Sequence, residues 1–245
     1  MKLVTIPLSH FCEKARWGLD RSGLAYTERP YAPVLHRAEV MPRGSTTVPV
    51  LLLGGRRNIA GSTAILEHCD DHGSGTALFP QDAAVREEVR ELVARFDKRL
   101  GPPLRAWLYS WALEDRDRLR PYVLLGLPSV QHRVVSATLP GIQRILRIAL
   151  RITPETHATC TAKVDGELEF VSDLLSDGRR FLVGDQFTAA DLTFAALAGS
   201  GVSAPGYGGK IVTLPDAPSD LAPQMNAWKA TPAGRFAHTM YNDWR

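Results

Sequence analysis

The feature that most constrains the fold is the stretch Lys2 to Arg16, KLVTIPLSHFCEKAR. A short β-rich run, Leu3-Val4-Thr5-Ile6, meets Pro7, passes through Ser9-His10-Phe11-Cys12 and opens directly into a helical pattern. A strand that hands over to a helix so abruptly aims the unpaired N–H groups of the first helical turn at whatever occupies the bend. Together those groups act as about half a positive charge, enough to favour a thiolate or a carboxylate there. Ser9 and Cys12 stand three apart across the bend, so a hydroxyl and a thiol flank the anion-favouring position. The stretch predicts an α/β start to the chain and a site for sulfur chemistry.

The next sixty residues extend that unit. A helix is predicted over 11–21, with Gly23 where a C-terminal cap belongs. A second strand is predicted over 25–31 and a short helix or loop over 35–41, ahead of Pro42. A third strand over 48–53 is turned by Gly54-Gly55 into a fourth over 57–60, a hairpin signal. Ser62 is predicted to cap a helix that runs to His72 and is closed by Gly73. The order βαβ–ββα is that of a thioredoxin-like domain. Residues 73–82, with Gly-Ser-Gly and Phe79-Pro80, read as a linker.

After the linker every periodic segment is helical. Helices are predicted over 83–100, ended by Gly101-Pro102-Pro103, over the aromatic-rich 104–113, and over 163–176. Residues 188–198 are apolar all round, the pattern of a buried central helix. One or two last helices are predicted over 217–239, broken near Pro232. Thr188-x-x-Asp191 has capping-box spacing, with Phe187 and Leu192 at the staple positions. The reading is two domains, 1–78 and 79–245, one α/β and one all-α.

Composition narrows the function classes. An apolar fraction of 44%, a charged fraction of 22% and a net charge of +3 describe an ordinary globular chain and give no footprint for nucleic acid. Three scattered cysteines, Cys12, Cys69 and Cys160, do not make a disulfide framework and fit a reducing compartment. No apolar run approaches the roughly 20 residues that span a bilayer, and the start lacks the layout of a signal peptide. The expectation is a cytoplasmic protein. His10 and Cys12 have no further His or Cys partners near them in the sequence, so no metal is expected.

Four segments together carry a family resemblance: Ser9-x-x-Cys12, Thr47-Val48-Pro49-Val50-Leu51, Gly61-Ser62-Thr63-Ala64-Ile65 and Gly184-Asp185-Gln186-Phe187-Thr188-Ala189-Ala190-Asp191. In this order they resemble the cytosolic glutathione S-transferases, in the serine/cysteine version of the turn. The resemblance implies an α/β thioredoxin-like N-terminal domain followed by an all-α domain, a homodimer, and glutathione as co-substrate. It implies catalysis at the turn, with Ser9 ranked first as the donor to the ligand thiolate and Cys12 as the rival nucleophile. It implies a cis Val48-Pro49 bond whose residue 48 pairs through its backbone with the thiol ligand, and a γ-glutamyl carboxylate held at Gly61-Ser62. Phe11 in the turn, with His36 and Arg37 as basic residues near the glycine carboxylate, completes the implied thiol site. One departure stands out: Gly61 occupies a position that is usually acidic.

For the second substrate, Arg105, Trp107, Tyr109 and Trp111, on the helix after Pro103, are the candidate pocket lining. The segment 121–152 is longer than a minimal transferase needs. The implied activity is conjugation of glutathione to an apolar electrophile, a detoxification chemistry. The alternative is a non-catalytic binding protein of the same fold, docking on a membrane or partner through the basic helix 141–152, where Arg144, Arg147 and Arg151 fall along one side.

Overall fold

The computed structural model describes residues 1–55, 57–209 and 216–245. Strand β1 (Lys2–Thr5) leads into helix α1 (His10–Arg21), and β2 (Thr27–Pro30) returns parallel to β1. After α2 (Arg37–Val40), β3 (Val50–Gly54) and β4 (Arg57–Ala60) form the hairpin, and α3 (Ser62–His72) follows. The sheet order is β2-β1-β3-β4, with Val4 opposite Arg29 on one side and Val50 on the other. Alternation along the strands sorts the apolar residues by face. Leu3 and Leu51 pack with Ala15, Leu19, Ile65 and Cys69 beneath α1 and α3. Val4 and Val50 pack with Val40 on the opposite face. The two helices meet at Gly18, where an added Cβ would stand 2.2 Å from Leu66 Cδ2, so a side chain there would drive them apart.

The remainder is helical: α4 (Ala83–Arg99), α5 (Gly101–Ala112), α6 (Arg116–Leu124), α7 (Ser129–Ala149), α8 (Thr156–Leu174), α9 (Ala189–Ala198), α10 (Ala222–Ala230) and α11 (Pro232–Trp244). All ten residues of α9 are buried, as its uniform apolarity predicts. Asp191 accepts from the Thr188 N–H at 2.8 Å and from the Leu182 N–H at 2.7 Å, which ties the preceding loop to the helix start. The Thr188 hydroxyl takes the Ala190 N–H at 3.3 Å. The chain therefore has a thioredoxin-like N-terminal unit with a four-stranded mixed sheet, followed by a helical remainder.

Four details differ from the sequence reading. Helix α4 ends just before Gly101-Pro102-Pro103 as predicted, but that tripeptide is itself the first turn of α5, where a missing proline N–H costs nothing. Ser62 is the first residue of α3 and makes no capping bond with its side chain. Gly61 holds the cap position at φ +93°. The expected linker is docked: the Leu78 and Phe79 N–H groups donate to Asp70 Oδ1, the Leu78 carbonyl accepts from Ala189 N, and Phe79 is fully buried. Pro140 lies inside α7, so one 21-residue helix covers most of the segment after Pro128.

Candidate active site

The bend between β1 and α1 forms as the sequence predicts. Ser9 is the N-cap of α1 in extended backbone, and its Oγ accepts the Cys12 N–H at 3.4 Å. That bond uses a lone pair and leaves the Ser9 hydroxyl proton free to donate. Ser9 lines an open cavity of about 350 Å³ between the turn and the helices that follow. Cys12 behaves differently. It is fully buried, and burial pushes its thiol up to about 11, so it stays protonated near neutrality. The helix terminus does not compensate, because the side chain turns into the protein. Cys12 is therefore a packed thiol, a correction to its candidacy as nucleophile.

Val48-Pro49 is cis. Val48 faces the cavity, and among the described residues no hydrogen bond reaches its N–H or C=O. Pro49 is buried behind it, and its carbonyl accepts from Gly61 N at 3.0 Å, which sets the start of α3 beside this edge. Nothing lies within 4 Å of where a Cβ on Gly61 would stand, so the first turn of α3 opens on free space. The Ser62 side chain is buried.

His36 and Arg37 both reach the cavity. The His36 ring is buried against the Thr46 carbonyl (Nε2 to O 3.3 Å), and burial lowers its pKa, so it is neutral. Arg37 is exposed and is the cation of the pair. Phe11 does not line the cavity. Its ring sits against Gly101, where an added Cβ would be 2.6 Å from its Cζ, and it meets the His10 ring edge-on at 4.7 Å. It braces the turn against α5.

Helix α5 presents Arg105, Leu108, Tyr109 and Ala112 to the cavity, the spacing of one helical face, with Trp111 at its margin. Tyr109 is pushed up to about 12 by burial. Trp111 donates to Asp220 Oδ2 at 3.3 Å. Trp107 points the other way. It is fully buried in the core, stacked on His157 and packed against Trp228, so it is not part of the lining.

Several lining residues escaped the sequence reading. His10 is 4% exposed, faces the cavity and leaves its Nε2 without a partner. Its pKa is lowered to about 3, by burial first and by Arg105 second. Leu119, Val123, Ile145 and Leu146 form one wall, and Leu221 and Met225 another. Only the segment 121–152 gave advance notice, through its length. Arg144, Arg147 and Arg151 do not form one basic row. Arg147 donates to the Leu113 carbonyl at 2.6 Å, and Arg151 lies beyond the end of α7 at φ +53°. Among the described residues no helix is long and apolar enough to cross a membrane, and no group of three or more His, Cys, Asp or Glu residues is placed to hold a metal.

This architecture is matched among known proteins. Residues 3–77 match the family described as glutathione S-transferase, N-terminal domain. A glutathione S-transferase from Methylobacillus flagellatus with glutathione bound shares the fold at TM-score 0.60 and 20% identity, over 97% of this chain and 92% of that one. A glutathione S-transferase from Methylobacterium radiotolerans in complex with glutathione sulfonate does so at 0.56 and 20%, over 96% and 93%. The β-etherase LigF from Sphingobium does so at 0.60 and 20%, over 97% and 98%. No curated protein matches the chain. The family match covers the N-terminal domain, residues 3–77, and beyond it the likeness to these structures shows that the whole chain shares their fold.

Proposed function

We propose that the protein is a glutathione-dependent transferase that joins the thiol to an apolar electrophile. In this reading residues 1–78 bind the thiol and residues 79–245 shape the second-substrate pocket. The observation that carries it is the pairing across one cavity of Ser9, with a hydroxyl proton to give, and Val48, with an unused backbone edge. A peptide-like thiol needs both. Its backbone pairs with the Val48 edge, its γ-glutamyl carboxylate meets the open first turn of α3 at Gly61-Ser62, and Arg37 stands on the side of its second carboxylate. Gly61 brings no acid for the amino group, so affinity in the millimolar range is expected rather than tighter.

Ser9 stabilises the charged form of the thiol by donating to it, with the N-terminus of α1 adding partial positive charge. The chemistry supplied by the bound thiol is nucleophilic: its sulfur forms the new bond to carbon while the leaving group departs with the electron pair of the bond that breaks. The thiol proton is lost to solvent. Conjugation is favoured over dithiol–disulfide cycling, because position 9 is not a cysteine. A homodimer and a cytoplasmic setting go with this reading.

Calorimetric titration with glutathione tests it. Binding in the millimolar range is expected, and no heat of binding at several millimolar would overturn the assignment of the thiol.

A further inference from the structure

Arg105 stands in an unusual position. It projects from α5 into a cavity whose walls are otherwise mainly apolar, among them Leu108, Val123, Leu146 and Met225. Its Nε is buried without a hydrogen-bond partner. The single acid that lines the cavity among the described residues, Asp216, is exposed and makes no ion pair with it. Neither Arg56 nor residues 210–215 adds an acid to the chain, so no counter-ion is hidden there. A guanidinium keeps its charge even where burial lowers its pKa. A half-buried cation with no counter-ion is costly, and chains keep one where something else completes it. His10 adds a second observation at the same place. It is 4% exposed, lines the same cavity and has an unpartnered Nε2, close enough to Arg105 to feel its charge.

We propose that Arg105 and His10 form an anion subsite that seats the carboxylate of an apolar, ring-sized second substrate. This deepens the reading above and rests on it only in calling that ligand a second substrate. The guanidinium fork matches the two oxygens of a carboxylate. The imidazole, in the tautomer that carries its proton on Nε2, adds a donor without adding charge. The volume of about 350 Å³ suits a small aromatic or alicyclic acid whose body fills the apolar walls. A neutral analogue of the same shape would leave the cation unpaired and so binds more weakly.

The test uses naphthalene-2-carboxylate and naphthalene-2-carboxamide, titrated by calorimetry into the wild type, Arg105→Gln and Arg105→Lys, without glutathione. Wild type is expected to bind the carboxylate at least about tenfold more tightly than the amide. In Arg105→Gln the ratio falls to about one, and Arg105→Lys keeps part of it, since an ammonium supplies charge without the fork. Affinity for the amide in each variant reports whether the cavity is still formed. Equal binding of the two probes by wild type overturns the proposal, whatever the variants do. A repeat with saturating glutathione separates the sources of the anion. Carboxylate preference that persists supports the proposal, whereas competitive displacement by glutathione gives Arg105 to the thiol's own carboxylate and overturns it. If glutathione does not bind at all and the carboxylate preference stands, the subsite is upheld and the transferase reading falls.

Discussion

Two sides of helix α1 treat buried charge in opposite ways. On the side away from the cavity, each buried ionic group has a partner. Lys14 is fully buried and bonds Asp97 at 2.8 Å and Thr63 at 2.7 Å, which clamps α1 to α3 and α4. Arg16 grips Glu28 with two nitrogens and donates to the Pro7 carbonyl at 2.9 Å. Glu13, 0% exposed, receives Arg16, Arg245 and the Gly208 N–H. On the cavity side, His10 of α1 and Arg105, which α5 brings to the same cavity, each leave a nitrogen without a partner. Arg21 and Arg245 also leave one nitrogen each unpaired on the first face, but each has another partner, whereas Arg105 has no acid partner among the described residues. That difference separates what holds the structure from what receives a ligand. The paired groups make the turn rigid, and the unpaired ones give it something to bind.

The largest effect expected from breaking this contrast comes from two matched substitutions. Arg16→Leu strands Glu28 and one side of Glu13 in the interior and is expected to destabilise by about 3–5 kcal/mol. Arg105→Leu removes a cation with no acid partner and is expected to leave stability unchanged or raise it by about 1 kcal/mol. Urea midpoints measured side by side check both, and equal losses would erase the distinction.

A smaller effect sharpens it. His10 titrates at about 3 in the folded chain against 6.5 ordinarily, because burial and Arg105 both disfavour the imidazolium. Between those values the unfolded chain binds a proton that the folded one refuses. Stability therefore rises with pH through this window, is fully present above about 6.5, and is lost as pH falls toward 3. The slope from this group is at most about 1.4 kcal/mol per pH unit. His10→Asn is expected to flatten the profile by that amount between pH 4 and 6. An unchanged slope would mean that His10 is not held neutral.

The contrast also explains what was legible in the sequence. The strand-to-helix bend, the Gly54-Gly55 hairpin and the buried α9 follow from local pattern, and the extent of β4 and the end of α3 match their prediction. Ser9 was singled out by its place in the bend, and the structure adds that it caps α1. Cys12, left open between a packed thiol and a nucleophile, and Trp107, offered as lining, both sit where the helix pattern gives a position along the chain but not which way the side chain faces. Packing of Phe11 on Gly101 and of Trp107 on Trp228 decides that, across dozens of residues. His10 was seen as a poor metal ligand, and its role as an unpaired group depends on Arg105, which stands 95 positions away in the chain. The walls from α6, α7 and α10 had no motif at all, since apolar lining is chemically the same as apolar core.

The measurement that bears most directly on the account is the pKa of the glutathione thiol bound to the wild type and to Ser9→Ala, followed by thiolate absorbance. The bound thiol is expected well below the ordinary value of about 8.5 in the wild type, returning toward it in Ser9→Ala, with conjugation slowed by about a hundredfold. The same depressed value in both proteins would contradict this expectation, and would move thiolate stabilisation from the Ser9 hydroxyl to another group in the cavity.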